Sequence, residues 1–239
     1  MVKKIGFALL ACLPLALIVI ATRSDEGSLG LFDYFNLLLY NTGVYPLYRL
    51  DPRSFLHFTA YFLLLIGGFY FVSEPIHLRS QGYGAMEVVR YPRCTAYLKA
   101  NRRRNLKNAV LFTAALFAEI LFAVLLFDGR AFFSVHTAFP VTFFFMASGF
   151  FCFAVRLISV LALFELWCEY LLYRIRFEVL LSIVLVLLCL LLQAGAWCGL
   201  PLLSLSFGPV HYVLTALCLL LYILSDLYIL KQYRTKEMW

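Results

Sequence analysis

Six long apolar runs, separated by short polar or basic stretches, set the pattern of this chain. They fall at about 5–21, 55–73, 108–127, 141–165, 178–198 and 209–230. A membrane-crossing helix needs roughly 20 mostly apolar residues, because at 1.5 Å per residue it must cover about 30 Å of hydrocarbon. A helix also satisfies every backbone polar group internally, where no water can do so. The pattern therefore predicts an all-α polytopic membrane protein: one transmembrane domain over 1–239 with six transmembrane helices.

Two connections are long enough to carry structure of their own. The first, 22–54, opens polar (TRSDEGS) and becomes amphiphilic in LFDYFNLLLY. That piece is too short to span, and it is expected as an interfacial helix with Tyr34, Tyr40, Tyr45 and Tyr48 at headgroup level. The second, 74–107, contains Pro75 and the Gly82/Gly84 pair, which end the preceding helix. AMEVVRY then predicts a second short interfacial helix, and YLKANRRRNLKN a basic approach to the third span.

Charge fixes the expected orientation. With the amino terminus inside, fifteen Lys and Arg residues fall in inner segments and four in outer ones. That asymmetry places both termini on the cytoplasmic side of the cell membrane. The net charge of +7 thus reports membrane orientation, and no nucleic-acid partner is implied. Composition agrees: 64% of residues are hydrophobic and 14% charged, with a mean hydropathy of +0.89, well beyond the soluble norm of roughly 45–50% apolar. Lys3 and Lys4 ahead of the first run also resemble a signal peptide, with LLAC as a degenerate lipobox. The run is at the upper length for a cleaved signal, so a retained first helix is expected.

Candidate chemistry is sparse. None of the six lysines follows a glycine, so the phosphate-cradling G-x-x-x-x-G-K-[ST] loop is missing. There is no H-E-x-x-H and no G-x-S-x-G, and the four histidines are spread over separate segments. The seven cysteines contain no C-x-x-C and read as buried small residues, not as a disulfide framework or metal site. Inside the apolar runs, Glu119, Arg156 and Gln193 stand out, with Asp226 near the end of the last run. A charge at such depth costs a few kcal/mol unless it is neutralised, paired or hydrated. Glu119 and Arg156 are partners by sign. They equally fit a plain reading, with Arg156 snorkelling to inner headgroups and Glu119 serving as polar glue between helices.

The stretch EVVRYPRCTAYLKANRRRNLKNAVLF (87–112), between the second and third runs, resembles the inner loop of type-2 ABC exporter permeases of the small bacterial peptide and bacteriocin class. WCGLPLLSLSFGP (197–209) is similar to the reentrant region of such permeases. The resemblance implies a coupling helix at about 83–93, with Glu87, Arg90, Tyr91 and Arg93 contacting a separate ATP-binding subunit. ATP and Mg would be bound in that partner, with no cofactor in this chain. It further implies a second permease copy or a related permease enclosing the substrate path, with membrane lipids around both. The expected function is export of an amphiphilic or peptide substrate. An integral membrane enzyme, or a receptor-like or accessory membrane protein built on the intramembrane polar residues, is the alternative.

Overall fold

The computed structural model describes residues 2–22, 30–31, 34–35, 63–72, 94–128, 143–175, 187 and 209–236. Among these residues the fold is all-α, with five helices: α1 (Val2–Thr22), α2 (Leu63–Val72), α3 (Cys94–Asp128), α4 (Phe143–Ile175) and α5 (Pro209–Lys236). Three of them, over Ala96–Asp128, Met146–Cys168 and His211–Gln232, are long and apolar enough to cross a membrane. The expectation of six transmembrane helices is corrected accordingly, to three candidate spans among the described residues.

The reason is length. Leu63–Val72 covers about 15 Å at 1.5 Å per residue, half of a hydrocarbon core. The apolar part of α1, Lys4–Ile20, also falls short, and Pro14 inside it removes one backbone donor. The predicted run at 178–198 lies outside the described residues, Leu187 apart.

The third helix differs from expectation in the other direction. It begins at Cys94 instead of near 108, so the basic approach YLKANRRRNLKN is helical and continuous with the apolar run. Lys, Arg, Leu and Ala are strong helix formers, and neither Gly nor Pro interrupts Cys94–Asp128. At 35 residues α3 is about 52 Å long, far more than a bilayer core requires. The 33 residues of α4 and 28 of α5 also overrun it.

Contacts fix how the helices run. Phe117 meets Phe150 and Phe153, whereas Tyr97 and Leu98 cluster with Leu166, so α3 and α4 are antiparallel. Tyr212 bonds to Ser148 and Trp167 to Ser225, with Tyr228 against Tyr170, so α4 and α5 are parallel. Ile175 and Pro209 therefore lie at opposite ends of the bundle. Phe71 lies against Phe7, and a Cβ on Gly67 would meet the Ala11 carbonyl, making α1 and α2 antiparallel.

The core sits where α1, α2, α3 and α4 converge, around Cys12, Leu15, Phe69, Phe112, Leu116 and Leu161. Gly68 is the closest approach: a Cβ there would lie 2.9 Å from Leu161 Cδ2 and 3.0 Å from Phe112 Cε1. Only a residue without a side chain lets α2 reach both neighbours. By contrast α5 turns Val213, Leu217, Leu220, Leu221, Leu224 and Leu227 outward, which suits lipid and not water.

At the opposite end from the basic stretch lie Tyr34 and Phe35, both fully buried, while Tyr40, Tyr45 and Tyr48 lie outside the described residues. The Tyr34 hydroxyl donates to Asp128 Oδ2 at 2.8 Å, and the Phe35 ring packs 4.6 Å from Phe117 and 5.2 Å from Phe150. An amphiphilic segment too short to span has another way to hide its rings, which is to tuck them between helices.

Candidate functional site: a buried polar junction

The helical continuation of α3 below Ala109 brings polar side chains into the bundle. Asn101, Asn105 and Asn108 stand four and three residues apart, so they share one face. All three are buried, at 2%, 5% and 4% exposure. Arg102, a third of a turn round, points to α5 instead. Its Nη1 forms an ion pair with Asp226 Oδ1 at 2.5 Å, and its Nη2 donates to the Asp226 carbonyl at 3.4 Å. Arg104 donates to Asn101 Oδ1 at 2.9 Å, which orients that amide.

α4 contributes Glu165, fully enclosed. Tyr222 of α5 has Asp226, Arg102 and Glu165 as its electrostatic neighbours. One basic, two acidic and one phenolic side chain from three long helices thus converge at one junction. Its rim is aromatic, with Trp167 edge-on to Tyr170 and stacked near Tyr228, while Trp167 Nε1 donates to Ser225 Oγ. Half-buried charges held this way resist separation, because removing one partner strands the other away from water.

A second polar contact ties α4 to α5 deeper in the bundle. Arg156 is fully buried. Its Nε donates to the Cys152 carbonyl at 3.4 Å, one turn back, and its Nη1 lies 3.3 Å from His211 Nδ1. The side chain therefore runs toward the amino end of α4, away from the basic end of the bundle, and does not snorkel to the inner headgroups. A guanidinium can only donate, so Nδ1 accepts and the imidazole carries its proton on Nε2. Cys152 and Cys218 complete the neighbourhood as buried free thiols.

The other predicted residues fall as follows. Glu119 lies on α3 with Cys12 of α1 as its electrostatic neighbour, and its Oε2 is buried without a hydrogen-bond partner. Arg156 and Glu119 thus serve different interfaces. Glu87, Arg90, Tyr91, Arg93 and Gln193 lie outside the described residues. Asp226, noted from sequence only as a further intramembrane candidate, is the anchor of the junction. Sequence reasoning passed over Glu165, Tyr222, His211 and the three asparagines. The asparagines had a legible signal, the spacing of four and three, which becomes visible once α3 is started at Cys94.

Comparison with known protein families, with curated proteins and with solved structures gives no match. The described residues show a multi-helical, largely apolar architecture consistent with a multi-pass membrane protein and with membrane transport in general.

Proposed function

We propose that this chain is the permease subunit of an ABC exporter in the cytoplasmic membrane, moving an amphiphilic or peptide substrate with energy from a separate ATP-binding subunit. The observation that carries the reading is the polar junction. Charged groups from α3, α4 and α5 meet at the end of the bundle where the basic residues of α3 lie, directly after the segment 83–93. A partner pushing on that segment would act first on α3, and the Arg102–Asp226 pair would pass the movement to α5. The absence of a phosphate-cradling loop in this sequence fits an external source of work.

The test is co-purification with a P-loop ATPase subunit, followed by charge reversal. Glu87→Lys or Arg90→Glu is expected to abolish the complex and substrate-stimulated ATP hydrolysis while leaving membrane insertion intact. Retained coupling in both reversals, or substrate conversion by the isolated chain, overturns the proposal.

A further inference from the structure

Five cations occupy the stretch from Lys99 to Lys107 in the first half of α3, and the fold sorts them into two sets. Arg102 turns inward to Asp226, and Arg104 donates to Asn101. Lys99, Arg103 and Lys107 are exposed, and among the described residues none of them meets an acidic side chain. Spaced four residues apart, these three stand one above another on a single face of the helix. The same face continues into the apolar half as Val110, Ala114 and Leu121, all exposed. α3 therefore carries an unbroken outward strip that is first cationic and then apolar.

The dimensions of this strip match one lipid leaflet. Ala109 to Asp128 is about 20 residues and 30 Å, the full hydrocarbon thickness, which sets the boundary with the headgroups at Ala109. Val110 to Leu121 covers about 16 Å, the depth of the acyl chains of one leaflet. Lys107 and Arg103 follow about 3 Å and 9 Å outside the boundary, bracketing the phosphate level of a headgroup layer roughly 5–7 Å deep. Lys99, about 15 Å out, lies beyond that layer.

We propose that the Arg103–Lys107 face of α3 is a binding site for one anionic phospholipid of the adjoining leaflet. The phosphate is held between the Arg103 guanidinium and the Lys107 ammonium, and an acyl chain lies along Val110, Ala114 and Leu121. Charge complementarity names the headgroup: the planar guanidinium donates to phosphate oxygens in pairs, and the ammonium adds a point charge. A zwitterionic headgroup would bring its own cation against these two. The apolar continuation names the tail, because a soluble phosphate would leave it unused. The site rests on the geometry of α3 and stands independently of the transport reading above.

The test uses the full purified chain, stripped of lipid in dodecyl maltoside. Native mass spectrometry then follows its binding of equimolar phosphatidylglycerol and phosphatidylcholine with identical chains. The first lipid retained is expected to be phosphatidylglycerol, favoured about twentyfold, since each of two cations at the surface adds about fivefold. Arg103→Gln and Lys107→Gln should each reduce that preference about fivefold. Lys231→Gln removes the same charge from an exposed position on α5 and should leave the preference unchanged. Lys99→Gln, beyond contact range, should change it by less than about twofold. Equal retention of the two lipids by the wild-type chain overturns the proposal and needs no variant. Equal losses in Lys231→Gln and Arg103→Gln also sink it, because attraction by net charge alone gives that result. Displacement of phosphatidylglycerol by excess glycerol phosphate would replace the lipid with a soluble phosphate and overturn the assignment.

Discussion

At the scale of single residues, Arg156 and Gly68 set the strictest demands. The Arg156 guanidinium is enclosed and leans on a carbonyl of its own helix and on His211 of α5. His211→Ala removes an acceptor from a buried charge, so a loss of about 1.5–3 kcal/mol is expected. His211→Gln, which keeps an acceptor, should recover part of that loss. Thermal unfolding in detergent reads both, and an unchanged midpoint for His211→Ala would show that the contact holds nothing. Gly68 makes a steric demand. Its neighbours Phe112 and Leu161 are themselves fully buried and have little room to yield. Gly68→Val is expected to cost about 1–3 kcal/mol by overpacking, read as a lowered midpoint in the same assay.

At the scale of elements, α3 joins most of the structure. Its far end is fastened by Tyr34 and its near end by Asp226. Tyr34→Phe deletes only the hydroxyl that donates to Asp128, and a loss of about 1.5–3 kcal/mol is expected for a bond to a carboxylate. Arg102→Asp and Asp226→Arg should each destabilise the chain, with the double exchange restoring much of the loss; two additive losses would show that the pair is not the operative contact. α3 also shows what a sequence can reveal. Hydrophobicity placed the end of its apolar half, at 127, within one residue of Asp128. It missed the amino-terminal half, because a charged helix and a charged loop have the same hydropathy and differ only in the lack of Gly and Pro. The same blindness hid Glu165, whose burial depends on facing α5 and not on any local pattern. Of the second run, 55–73, only Leu63–Val72 falls among the described residues, and that part is helical.

At the scale of the whole molecule, the basic end of the bundle is a single surface. Lys99 on α3 and Lys231 on α5 are both exposed there. Cysteines placed at these two positions are expected to react with a membrane-impermeant maleimide only from the cytoplasmic side. Labelling of the two from opposite sides would overturn the orientation drawn from the Lys and Arg count.

The parallel run of α4 and α5 has a consequence for how the chain is made. Neighbours joined as a hairpin can enter the bilayer together, but these two cannot, since each is completed with the rest of the chain between them. Arg156 and His211 are 55 residues apart. At ~5–20 residues per second of synthesis, the arginine waits about 3–10 s in the membrane before its histidine exists. During that interval it is an intramembrane charge of the kind that quality-control proteases and insertion factors recognise. A nascent chain stalled before Pro209 should therefore be short-lived in cells, and Arg156→Leu should prolong its half-life.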